Sequence, residues 1–186
     1  MFKITIKGES PLLCNRFTDE DAAKVEAGTS AIKVAGSKGT PRERAEKKLY
    51  GSVEKPTIPG PNIYRSIIDA GRFHKAGKEK VTTQKSSLVP AGIWLTEIEC
   101  ELQSPGWEVD SRPVVNPTTG GRMMTHRPRF DEWQLTFTLD VDEEMFDEKI
   151  VRRLIDDAGS RIGLGDYRPA RKGPFGRFKV ISWQRV

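Results

Sequence analysis

Alternation of apolar and polar residues at the two ends of the chain constrains its fold more than any other feature. Phe2, Ile4 and Ile6 alternate with Lys3, Thr5 and Lys7, which predicts a half-buried strand with a basic outer face. Phe178, Val180 and Ser182 alternate with Lys179, Ile181 and Trp183 in a second strand at the far end. Between them, Ile63, Ile67, Ile68 and Ala70 predict a helix that follows the rigid turn Ile58-Pro59-Gly60-Pro61-Asn62 and ends near Gly71 or Gly77. Residues 93–100, Ile-Trp-Leu-Thr-Glu-Ile-Glu-Cys, and residues 133–139, Trp-Gln-Leu-Thr-Phe-Thr-Leu, are rich in strand formers. A second helix is expected to open at Asp142, to turn Met145, Phe146, Ile150, Leu154 and Ile155 inward, and to end at Ala158-Gly159. The order is strand, helix, strand, strand, helix, strand. It predicts an α+β, ferredoxin-like (RRM-like) βαββαβ layout in a single domain over 1–186.

Three stretches fall outside that pattern. Residues 9–57 read as a long N-terminal insertion, with a short helix near Asp19 and another that Thr40-Pro41 caps and that runs to Leu49. Residues 103–130 read as an irregular arm or thumb between the second and third strands. Residues 159–177 read as a Gly-rich loop between the second helix and the last strand. Loops of such length inside a compact domain are often functional. Glycine and proline together make up 29 of 186 residues, and apolar residues only 36%, so a modest core with much irregular chain is expected.

Charge is segregated along the chain. The net charge is +5. From Ser111 to Phe130 there are four arginines and no acid, and from Ser160 onward seven basic residues and one acid, Asp166. Asp131 to Asp157 holds ten acids against three bases. A positive face on a dipolar molecule is the electrostatic footprint of a phosphate-backbone partner.

The densest signal is the Gly-rich loop. Its five glycines let the backbone approach a ligand and expose its amides, Gly163 and Gly165 foremost. Arg161, Arg168, Arg177 and Lys179 are suited to phosphates, and Tyr167 and Phe175 offer flat faces for base stacking. The bland alternative is a helix-to-strand connection that needs glycine for turns and arginine for solubility. The loop precedes a strand rather than following one, so it is not a dinucleotide-binding fingerprint. In the arm, Arg112, Arg122, Arg127 and Arg129 stand with Asn116, Thr118, Thr119, Thr125, His126, Met123 and Met124. Arginines on phosphates and methionines between bases are expected there, against the alternative of a plain hairpin or subunit contact. The insertion also carries Arg16, Lys33, Lys38, Arg42, Arg44, Lys47 and Lys48, diluted by six acids, and reads chiefly as a solvated loop.

A Gly-rich loop after the second helix of a ferredoxin-like fold resembles the RAMP superfamily, the repeat-associated subunits of CRISPR effector complexes. Gly159, Gly163, Gly165 and Gly176 carry the resemblance, together with Ser10-Pro11-Leu12-Leu13 and Ile58-Pro59-Gly60. The ending Gly-Leu-Gly-Asp-Tyr-Arg-Pro with Phe-Gly-Arg-Phe is also similar to small phage-encoded relatives, so a minimal or phage-encoded member is implied. The resemblance implies binding of a single strand of RNA or DNA, RNA the more favoured of the two, often by head-to-tail copies along it, and so a homo-oligomer. Backbone and π-face contacts would make base identity matter little.

Other chemistry has weaker support. His74 reads as a cation at a helix C-terminus. His126, among arginines, or Asp110, just before the arm, are the candidates for a repeat-processing RNA endonuclease, the first alternative. A phage assembly protein, or a mimic that docks into a host effector complex, is the second. Cys14 and Cys100 form neither a zinc motif nor a disulfide framework. With no signal peptide and no run of 18 apolar residues, no membrane partner, no cofactor and a cytoplasmic location in a bacterial or phage-infected cell are expected.

Overall fold

The computed structural model describes residues 1–28, 39–115 and 120–186. In chain order the elements are β1 (Phe2–Gly8), β2 (Leu12–Leu13), α1 (Asp19–Glu26), α2 (Pro41–Glu46), β3 (Thr57–Pro59) and α3 (Gly60–Ala70). A 3-10 turn (Gly71–Phe73), β4 (Lys75–Ala76), β5 (Glu79–Lys80), α4 (Val89–Gly92), β6 (Ile93–Leu95) and β7 (Glu99–Glu101) follow. The chain closes with β8 (Glu108–Val115), β9 (Arg122–Phe130), β10 (Gln134–Val141), α5 (Glu148–Asp157), a π turn (Ala158–Ile162), a 3-10 turn (Pro169–Arg171) and β11 (Phe178–Arg185). The fold is α+β.

Its frame is a four-stranded sheet in the order β11-β1-β10-β6, with every neighbouring pair antiparallel. The predicted alternation decides its two faces. Phe2, Ile4 and Ile6 of β1 lie in the core with Leu135, Phe137 and Leu139 of β10. There they meet Ile63, Ile67 and Ala70 of α3 and Val151, Leu154 and Ile155 of α5. Each of these side chains removes apolar surface from water, worth about 1.5–3 kcal/mol for a fully buried large aliphatic or aromatic group. On the other face Lys3, Thr5 and Lys7 run beside Thr138, Thr136 and Gln134, and Thr5 and Thr136 share a hydrogen bond of 2.9 Å.

Several boundaries depart from the sequence expectation. The strand expected over 93–100 is two strands. β6 joins the main sheet, while β7 leaves it to pair with β3. The chain changes direction between them because the Gly60 amide donates to the Ile98 carbonyl, and the Glu97 carboxylate accepts from the Thr138 amide. The second helix opens not at Asp142 but after Asp147, whose carboxylate accepts from the Ile150 amide at 2.8 Å. Met145 is consequently exposed, and Val151 takes the inward position. Past Asp157 the chain continues into the π turn, so Ala158-Gly159 does not end the helical path.

The arm is not irregular. β8 and β9 form a regular antiparallel hairpin from Glu108↔Arg129 to Val115↔Arg122, and β2 adds a third strand at its base. Pro113 and Pro128 sit in it, opposite Met124 and Val109. The insertion is tied to this hairpin. Thr40 caps α2 in a reciprocal capping box with Glu43, as the sequence expects, although α2 ends at Glu46 rather than Leu49. Lys48 donates to Thr125 at 2.8 Å, and Arg44 to the Met124 carbonyl at 3.3 Å. Lys33, Lys38, Asn116, Thr118 and Thr119 lie outside the described residues.

Candidate functional site

The Gly-rich loop is folded against its own protein. Gly165 has φ +71° and Gly176 φ +73°; a Cβ on the first would overlap the Leu13 carbonyl oxygen, and on the second the Leu164 carbonyl oxygen. The amides expected to face a ligand are largely engaged. Gly163 donates to Ala158, Leu164 to Gly176, Asp166 to Leu13, Gly173 to Arg168 and Gly176 to Pro11. These glycines therefore draw the loop onto β2 and onto itself.

The predicted phosphate-binding side chains divide among several places. Arg168 donates to the Gly165 carbonyl at 3.0 Å and stays beside the loop. Arg161 turns back to Asp157 at 2.8 Å, with its guanidinium over the Phe73 ring. Arg177 donates to the Ser160 carbonyl, and Lys179 lies 3.7 Å from Glu9 near the sheet edge. Phe175 is buried, covered by Tyr167 and by the Arg112 guanidinium 4.8 Å away, so it has no face free for a base. Tyr167 remains 40% exposed, in a left-handed backbone conformation at φ 50°. That conformation is uncommon for a bulky residue and is held here by the Phe175 amide on the Tyr167 carbonyl.

In the hairpin, Arg127 is only 5% exposed, so it is a structural cation rather than a surface clamp. It bridges Asp110 of β8 at 3.2 Å and Asp166 of the loop at 2.8 Å. Arg112 also holds Asp110, and Arg129 is paired with Glu108 and Asp131. Arg122, Met123 and Met124 stand near the distal end of the hairpin, with Met124 exposed. Asp110, the nuclease candidate, is thus buried between two guanidiniums. His126 shares a hydrogen bond of 2.7 Å with its cross-strand partner Ser111. His74 follows the 3-10 turn and reaches Asp157 of α5 at 2.9 Å. Among the described residues no three potential metal ligands converge.

What the fold does bring together was not visible as a motif. Gly163, Gly165 and Arg168 line a cavity of about 220 Å³ whose other walls are Asn15, Tyr50 and the polar side of α3, with Asn62, Arg65 and Ser66. A second, larger hollow of about 780 Å³ shares Arg65 and continues along α3 past Arg72 to the β5–α4 connection, with Lys80, Lys85 and the hydroxyls of Thr82, Thr83, Ser86 and Ser87. The two hollows together are lined by five cationic side chains, Arg65, Arg72, Lys80, Lys85 and Arg168, against two carboxylates, Asp69 and Asp166. Asp166 is neutralised by Arg127 from outside the hollows, whereas Asp69 is paired with Arg65 and Arg72, themselves two of the five cations. Burial pushes the Tyr50 hydroxyl above its ordinary pKa, against an opposing hydrogen bond with Asn62, so it stays protonated.

On the far side of α3, Gly60, Pro61, Tyr64, Pro90, Trp94 and Ile98 line an apolar cleft. Trp94 is 68% exposed and Ile98 79%. Tyr64 is fixed there by a 2.8 Å hydrogen bond to the Ile93 carbonyl.

Fold and site together describe an α+β protein with two hollows that share Arg65 of α3 and are lined by more cations than carboxylates. No protein-family model matches the chain. No curated protein matches it in sequence. No described helix is long and apolar enough to cross a membrane.

Proposed function

We propose that this chain binds single-stranded nucleic acid, RNA rather than DNA, without catalysis, and that the strand lies along the groove from Arg168 past Arg65 and Arg72 to Lys80 and Lys85. The observation that carries this reading is the excess of cations over carboxylates among hydroxyls and amides: Arg65 and Arg72 share the single charge of Asp69, Asp166 is neutralised from outside by Arg127, and Arg168, Lys80 and Lys85 add three further positive charges. Cations spaced along a groove follow a phosphate backbone, whereas a small anion needs one converging cluster. The strand order β11-β1-β10-β6, with α3 and α5 as the two crossing helices, supports a ferredoxin-like fold and with it a RAMP-like origin. Photocrosslinking to a 20-mer carrying 4-thiouridine tests the path. Adducts are expected at Tyr50 and along 80–87; adducts confined to Lys3, Lys7 and Lys179 would move the strand to the open sheet face.

A protein partner is favoured by a separate observation, the exposed Trp94 and Ile98. The proposed occupant of that cleft is the hairpin end of a second copy. Val115 and Met124 there are exposed and apolar, and Arg122 is complementary to the Glu97 carboxylate that lines the cleft. Light scattering is expected to show larger species with a 40-mer for the native chain, and none for Ile98→Lys. Unchanged assembly of that variant would remove the cleft from the interface.

A further inference from the structure

Resting on the groove reading above, we propose that the 220 Å³ cavity takes the base of one nucleotide and selects adenine, while Arg65 and Arg168 hold the flanking phosphates. Size and lining lead to this. The cavity is smaller than the ~300–1,000 Å³ of sites for whole drug-sized ligands, so it suits a fragment such as a base or a phosphate. A phosphate only accepts hydrogen bonds, so acceptors in the wall of its site go unused. Here the walls also carry two carboxamides, Asn15 and Asn62, and the Tyr50 hydroxyl, which offer donors and acceptors together. A carboxamide pairs with both the N6 amino group and N7 of adenine, a donor and an acceptor side by side. The wall is preorganised. Arg168 is bonded to the Gly165 carbonyl at 3.0 Å, and Gly165 itself is held close to β2. Asp166, the one carboxylate in the cavity, is tied to Arg127 and repels no neighbouring phosphate as a free charge would.

The test is fluorescence anisotropy with labelled RNA 12-mers of A, C and U at one salt concentration. The native protein is expected to bind A12 about tenfold more tightly than C12 or U12, the discrimination of one bidentate carboxamide pair. Asn15→Ala with Asn62→Ala is expected to bring the affinity for A12 to that for U12 measured on the same variant, which separates base reading from stacking within free A12. Equal affinity of the native protein for all three would overturn the base pocket and leave the groove standing. A preference for A12 that survives in the double variant would also overturn it. Failure to bind any 12-mer at low salt would sink the groove reading, and this inference with it.

Discussion

Arg127 on the hairpin lies 2.8 Å from Asp166 in the Gly-rich loop, and through its other amino group 3.2 Å from Asp110. One buried cation thus fixes the hairpin against the loop that walls the cavity. Its own positioning comes from β9, whose pairing with β8 places Arg127 opposite Asp110.

Arg127→Met should destabilise the protein by about 1–3 kcal/mol, because it removes one of two guanidiniums from the buried Asp110 carboxylate while Arg112 keeps its own two hydrogen bonds there. Urea unfolding followed by tryptophan fluorescence measures this. A loss below about 1 kcal/mol would show that the bridge does not hold the two segments together.

Gly165→Ala should cost more than Gly77→Ala. Both have positive φ, so both pay the roughly 1–2 kcal/mol left-handed penalty. Only Gly165 also meets backbone, at the Leu13 carbonyl, whereas Gly77 faces open space. Midpoints of urea unfolding compare them, and equal shifts would contradict the close approach of loop and β2.

Stability should fall as pH rises from about 9 toward about 12. Burial, and then the Asp166 charge, pushes the Cys14 thiol up to about 12 from its ordinary 9.0. Burial, with Glu97 and Glu99, does the same for Cys100. With raised folded values, the native state holds protons that the unfolded chain has released across this window, so the contribution is full below pH 9 and is lost above it. The same shift predicts that neither thiol is alkylated by iodoacetamide at pH 8.5 until denaturant is added. Rapid native labelling of Cys14 would contradict its burial.

Asp147→Ala should cost about 1 kcal/mol through loss of the α5 cap, read as a shift in thermal midpoint. No change would place the start of α5 elsewhere.

The outer strands and the apolar sides of α3 and α5 were legible because burial imposes a period on them. β1 shows period two, and Ile63, Ile67 and Ala70 the helical spacing. The start of α5 was misread because Asp142 and Asp147 are both carboxylates that accept backbone amides, and only the second opens a helix. The β8–β9 hairpin was hidden by its prolines and its few apolar residues. Most of the groove was illegible for another reason. Asn15, Tyr50, Arg65 and Arg168 are scattered along the chain and meet only through tertiary packing. One signal was present: Asn62, Arg65, Ser66 and Asp69 follow helical spacing on the polar side of α3, the side that apolar periodicity ignores. Lys80 and Lys85 lay in a stretch that read only as polar.

The salt dependence of oligonucleotide binding tests the groove most directly. For single strands, log K falls against log salt with a slope of about −0.7 for each phosphate neutralised. Anisotropy of a labelled U20 strand should therefore give a steep slope for the native protein. For Arg65→Ala, Arg168→Ala, Lys80→Ala and Lys85→Ala combined, the slope should be shallower by about 2–3. No binding by the native protein at about 50 mM salt, or an identical slope in a folded quadruple variant, would contradict the assignment.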